Sequence, residues 1–195
     1  MRTAGAMFSR QGYHATTIRD IAGALHLQGG SLYAHIEAKE DLLWEIVQRA
    51  AAEFLDAVTP LAARPGPAAD RLRAMLRAHV DVVARNLDTA TVFFDEWRFL
   101  RPARRAEIAA ARDQYEGLFR RVIQDGIDCG EFPGADARLG AILVLSAGNW
   151  LYQWFRPDGA WPADEVAGRM ADVLIAGLRH VGMPDPARLA VAGVH

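Results

Sequence analysis

Apolar residues recur along this chain at helical spacing, and that period leaves room for little but an all-α fold. Leu42, Leu43, Ile46, Val47, Ala50, Phe54, Leu55 and Val58 fall on one stripe, and Pro60 is expected to stop that helix. After a turn at Arg64-Pro65-Gly66-Pro67, a helix from about Ala68 to Asn86 turns Leu72, Met75, Leu76, His79, Val80 and Val83 inward. Asp88 or Thr89 can cap a shorter helix through TATVFFDEWRFL, ending before Pro102. A long helix from about Ala103 to Asp128 points Ile108, Ala111, Tyr115, Leu118, Phe119, Val122 and Ile123 inward, and Gly130 and Pro133 close it. Asp136 opens an apolar helix to Phe155, Pro157-Asp158-Gly159 breaks it, and Asp164 caps a last helix to about His180. The tail PDPARLAVAGVH is expected to pack loosely. Alternating strand patterns and internal repeats are absent.

With 195 residues, 51% of them hydrophobic, the chain can build one sizeable core or a small domain joined to a larger one. A net charge of −2 carries no overall attraction to nucleic acid or membrane. The single Cys129 excludes an internal disulfide and fits a reducing cytoplasm. MRTAGAMFSRQGYH lacks the apolar run of a secretion signal. The most apolar run, Leu139 to Phe155, is broken by Ser146, Gly148, Asn149 and Gln153 and falls short of the ~20 residues of a membrane span. A soluble cytoplasmic protein with no membrane partner is expected. The six histidines show no HxxxH or HExxH spacing, and neither a Gly-rich phosphate loop nor a GxSxG elbow occurs. No metal, cofactor or catalytic residue is therefore assigned, and the chain is not expected to be an enzyme.

The first forty residues differ from the rest, with short helical pieces punctuated at Gly12, Thr16-Thr17 and Gly29-Gly30. Thr16 or Thr17 can cap a helix carrying Ile18, Ile21, Ala22 and Leu25, with Asp20 in its first turn. A break at His26-Leu27-Gln28 leads into a second short helix holding Ser31 to His35, with Leu32 and Ile36 inward. That is a helix-turn-helix pattern. Gly29 and Gly30 let the second helix approach a duplex, Gln28 and Ser31 can bond base edges, and Tyr33, His35 and Lys39 can reach phosphates. Lys39 is the only lysine in the chain.

The run from Phe8 through Gly12-Tyr13, Ala15 to Ala22, Gly30-Ser31-Leu32-Tyr33, His35 and Lys39-Glu40-Asp41-Leu42 resembles the TetR family of bacterial transcriptional regulators. The resemblance implies a three-helix DNA-binding domain over residues 1–45 and a ligand-binding and dimerisation bundle over 46–195, about nine helices in all. It implies that Tyr33, Lys39 and a threonine at 16 or 17 hold the phosphate backbone, Lys39 from a helix N-terminus. Three departures stand out. Gln28 and Gly29 exchange the usual small cap and polar reader, leaving Gln28, Ser31 and Ala34 to meet bases. Ile36 replaces the usual Phe. The match also begins about one turn into the family's first helix, so a start upstream of Met1 is expected to add a basic arm and tighten DNA binding. Residues 1–50 carry five basic and five acidic side chains, so phosphate attraction must come from local placement and from a dimer.

Aromatic residues crowd the second part. They either fill its core or line a pocket, where Phe94, Trp97, Tyr115, Phe119, Trp150 and Trp154 supply apolar walls. Arg98, Asn149, Gln153 and Arg156 are the polar groups for orientation, although Asp95 and Arg98 can also pair with each other at i,i+3. FFDEWRFL, YEGLFRRVIQDGIDCGEF and NWLYQWFRPDG resemble the TetR regulators that sense acyl-CoA thioesters, including those of fatty-acid and sterol-ring catabolism. This implies an acyl group among Phe94, Trp97, Phe119 and Trp150, with Arg98 or Arg156 facing the CoA phosphates. The implied function is a repressor, homodimeric through its last two helices, released from a palindromic double-stranded operator by a small hydrophobic effector. Two alternatives stay open: a regulator of efflux or stress genes sensing other lipophilic or aromatic compounds, and a helical ligand-binding protein that does not bind DNA.

Overall fold

A computed structural model describes residues 1–26 and 38–181, and all its regular elements there are helical. The tail beyond residue 181, and the positions from Leu27 to Glu37, lie outside the described residues. Helix α1 (Arg2–Gln11) buries Ala4, Gly5 and Phe8. It ends at Gly12, where a φ of 83° suits glycine alone and the freed N–H reaches the Phe8 carbonyl at 3.0 Å. Helix α2 (Ile18–Ala24) starts from a reciprocal cap. Asp20 N–H donates to Thr17 Oγ1 at 3.1 Å while Thr17 N–H donates to Asp20 Oδ2 at 2.9 Å.

Helix α3 (Lys39–Ala62) buries Leu42, Leu43, Ile46, Val47, Ala50, Phe54 and Val58, the stripe expected from spacing. It crosses position 45 without a break and runs past Pro60, which was expected to stop it. A proline there removes one backbone bond in the final turn only, so the helix reaches Ala62 before the turn at 64–67 ends it. Helix α4 (Ala68–Arg85) is capped from a distance, its Ala68 and Ala69 N–H groups donating to the Glu131 carboxylate at 2.8 and 3.0 Å. All six residues expected on its inner face are buried.

The segment read as one capped helix through TATVFFDEWRFL is three pieces. Asn86, not Asp88 or Thr89, caps helix α5 (Leu87–Thr91), its side-chain oxygen accepting from Thr89 N–H at 3.0 Å. A π-helical turn (Val92–Glu96) and a 3₁₀ turn (Trp97–Phe99) follow. Helix α6 (Pro102–Asp128) starts on Pro102 and buries Ile108, Tyr115, Leu118, Phe119, Val122 and Ile123. Helix α7 (Ala137–Asn149) is capped by Asp136, which accepts from Leu139 N–H at 2.7 Å. It stops at Trp150 instead of continuing to Phe155, since Gly148 and Asn149 are weak helix formers, and a short α8 (Leu151–Trp154) resumes. Helix α9 (Ala163–His180) begins after Pro162, so Asp164 sits in its first turn and favours the dipole without capping.

Helix α4 is the axis of the bundle, with α3 and α9 packed against it and α6 bridging α3 to α7. One continuous core runs from Phe8 and Tyr13 through α3 and α4 to Ile175 and Leu178. No helix among the described residues is long and apolar enough to cross a membrane.

Candidate effector cavity and DNA-reading module

Where α3, α4, α6, α7 and the π turn converge, they leave a cavity of about 230 Å³. Phe54, Phe93 and Phe94 form much of its apolar wall, while His79, Arg112, Tyr115 and Asn149 bring polar atoms. The rings pack edge-on and tilted, with Phe54 5.1 Å from His79, 5.2 Å from Phe93 and 5.7 Å from Tyr115 between centroids.

His79 is 1% exposed, and its Nδ1 lies 2.9 Å from the Tyr115 hydroxyl. Burial holds its pKa down to about 4, so the ring is neutral at physiological pH. Its Nε2 faces the backbone of Gly148 without completing a hydrogen bond. A Cβ at Gly148 would stand 2.6 Å from His79 Cδ2, so α7 comes this close to α4 only because that side chain is missing. Burial also pushes the Tyr115 hydroxyl well above its usual pKa.

Arg112 stands in the cavity wall among three ring faces, 5.3 Å from Phe93, 5.9 Å from Phe94 and 5.1 Å from Trp97. One of its terminal nitrogens is buried with no hydrogen-bond partner. Among the described residues no carboxylate lies within ion-pair distance of it, although Asp113 and Glu116 line the rim. Burial, with the neighbouring Arg98 charge, lowers its pKa.

Of the ten pocket residues expected from sequence, Phe94, Tyr115 and Asn149 line the cavity. Trp97 reaches it through its contact with Arg112. Phe119 is fully buried in the core behind Tyr115, their centroids 5.4 Å apart. Trp150 is 61% exposed, and Gln153, Trp154 and Arg156 also face outward, away from the cavity lining. Arg98 is exposed beside the Arg112 end of the site. It does not pair with Asp95, which accepts from the Tyr152 hydroxyl at 2.7 Å while Tyr152 stacks on Phe94. Arg112, Phe54 and Phe93 also line the cavity, and His79, buried on the inner face of α4 as its spacing implies, borders it too. The available signal was position: Arg112 lies four residues after Ile108 and three before Tyr115, so a charge falls on the inward stripe of α6.

At the other end of the molecule, the turn between α1 and α2 is held from within. Lys39 Nζ donates to the carbonyls of Tyr13 at 2.6 Å and Thr16 at 2.8 Å, with His14 at 3.4 Å, and sits 4.2 Å from the Tyr13 ring centre. An ammonium has three donors, and all three face carbonyls here. A phosphate contact by Lys39 would require giving some of these up. Thr16 is fully buried and its hydroxyl donates to the Gly12 carbonyl at 2.9 Å, which leaves Thr17 alone of the pair on the surface. Gln28, Gly29, Gly30, Ser31, Tyr33 and His35 lie outside the described residues.

Residues 96–104 tie this turn to the cavity. Tyr13 N–H donates to Glu96 Oε2 at 3.2 Å, and Phe99 packs on both Tyr13 and His14. At the start of α3, Arg101 Nε lies 2.6 Å from Glu40, and Arg104 lies 2.8 Å from Asp41. The Arg104 bond is the main reason the Asp41 carboxyl sits below its usual pKa.

A small capped N-terminal module tethered to a helical bundle with an internal cavity is matched by known sequences over both parts. The family model for bacterial regulatory proteins of the tetR family covers residues 1–46, and that for the tetracyclin repressor-like C-terminal domain covers 65–178. The chain belongs to the TetR family. TetR proteins are DNA-binding regulators, so this chain is a transcriptional regulator and not an enzyme. Among its relatives is the HTH-type transcriptional repressor KstR2 of Rhodococcus jostii (strain RHA1), 26% identical over 90% of this chain and 87% of that one. Among solved structures, the TetR regulator PfmR of Thermus thermophilus superposes with a TM-score of 0.84 at 32% identity, over 91% of this chain and 97% of that one. The structure of AibR in complex with isovaleryl coenzyme A and operator DNA gives a TM-score of 0.81 at 27% identity, over 89% and 95%.

Proposed function

We propose that this TetR protein is a repressor released from its operator by an acyl-CoA thioester whose acyl group enters the cavity around Phe54, Phe93, Phe94 and Tyr115. The observation that carries this reading is continuity. The π turn that supplies Phe93 and Phe94 to the cavity also supplies Glu96 to the α1–α2 turn. A ligand that moves those phenylalanines moves the mount of the DNA-reading module, and π turns often mark such functional positions. AibR, which binds isovaleryl coenzyme A and operator DNA, and the KstR2 repressors support the ligand class and the sign of regulation.

Volume limits the acyl group. A cavity of about 230 Å³ exceeds the ~150 Å³ apolar cavity that accepts a benzene ring. It is too small for coenzyme A, so a ring or short branched chain goes inside and the nucleotide stays out, where the exposed Arg98 can face its phosphates. We assign residues 1–45 to DNA reading and 46–195 to effector binding and dimerisation. Thr17, Gln28, Gly29, Gly30, Ser31, Tyr33 and His35 are the proposed DNA contacts. Leu139, Ile142 and Leu143 on α7 and Val173 on α9, the last 73% exposed, fit a two-fold partner helix pair. Such a homodimer sets two recognition helices ~34 Å apart for a palindromic operator. Sedimentation as a monomer at micromolar concentration contradicts the dimer. Titrating operator binding with isovaleryl-CoA tests the function as a whole.

A further inference from the structure

We propose that Arg112 is the specificity-determining residue of the cavity, selecting effectors that place a carbonyl or carboxylate oxygen beside the apolar group. The proposal rests on the reading of this cavity as the effector site and names the chemistry it selects. A guanidinium in a protein wall normally meets a carboxylate, and leaving it without one is costly. Here three rings enclose it at 5.1 to 5.9 Å, a terminal N–H group is buried without an acceptor, and the Arg98 charge disfavours its own more than Asp113 favours it. Among the described residues neither arginine forms an ion pair, although Asp113 and Glu116 also line the cavity beside Arg112.

The ring faces hold the guanidinium in place at the wall of the cavity, so a ligand there meets a cation that is already positioned. The missing partner must therefore arrive with the ligand. It is an oxygen acceptor next to a compact hydrocarbon group, which both an acyl thioester and a free acid provide. Hydrocarbons that fit the same space lack it and are not selected.

The test is calorimetric binding of wild-type protein and Arg112→Leu to isovaleryl-CoA and benzoyl-CoA, to isovalerate and benzoate, and to toluene as an oxygen-free probe. Wild type is expected to bind an oxygen-bearing probe that the variant binds roughly tenfold or more weakly, the loss expected for a charge-assisted hydrogen bond. Toluene is expected to bind the variant at least as well. The unliganded variant is expected to melt no lower than wild type, because an unpartnered buried N–H has been removed. Equal affinity of both proteins for the thioesters and the acids overturns the proposal, as does an equal loss for toluene, which marks collapse of the cavity. Wild type binding the acids but no thioester, with that binding lost in the variant, upholds Arg112 and removes the acyl-CoA reading. Wild type binding no oxygen-bearing probe overturns both.

Discussion

The ammonium of Lys39 faces the Tyr13 and Thr16 carbonyls at 2.6 and 2.8 Å, so replacing it acts first on the turn between α1 and α2. Lys39→Met is expected to cost about 1–3 kcal/mol by leaving those carbonyls unmet, with a lower Tm and weaker DNA binding appearing together. An unchanged Tm with uniformly weaker binding to every DNA sequence would instead return Lys39 to a phosphate role. His79 sets a second expectation. Its pKa is about 4 when folded, against 6.5 when free. The unfolded state therefore binds more protons below pH 6.5, and stability is full above that value and lost as pH falls toward 4. The loss over that window is on the order of 3 kcal/mol. Urea denaturation between pH 7 and 4.5 should show it, and His79→Gln should flatten the slope; an equal slope in both proteins removes His79 as the cause.

Between elements, the link that matters is the π turn and the residues after it. Glu96 accepts from Tyr13 N–H but does not line the cavity. Glu96→Ala is therefore expected to leave effector affinity within about twofold, below ~0.5 kcal/mol, while shrinking the change in operator affinity that effector causes. Titration of both ligands on the same variant reads the two quantities separately, and an undiminished response would place the coupling elsewhere. Helices α3, α4 and α6 were legible in the sequence because each has a long apolar stripe, and burial follows the stripe almost residue for residue. The 86–101 segment was not legible. Its helix-like pattern is overridden by bonds from residues far along the chain, Tyr152 to Asp95 and Tyr13 to Glu96, 57 and 83 positions apart. The pocket was legible only in part for a related reason. Spacing finds Tyr115 on the inner stripe, yet cannot distinguish an arginine that reaches solvent from Arg112, enclosed by rings from another element.

The whole molecule joins a nearly neutral reading module to a bundle whose cavity shares a structural segment with it. On the proposed function, DNA affinity comes from placed contacts doubled by a partner, and control from a ligand acting through residues 92–104. Fluorescence anisotropy of DNA from the chain's own upstream region, at low salt, with and without saturating isovaleryl-CoA or benzoyl-CoA, measures both claims at once. The account predicts salt-sensitive binding by a dimer, weakened roughly five-fold or more by at least one thioester. No binding at low salt, or an affinity that neither thioester changes, would contradict it.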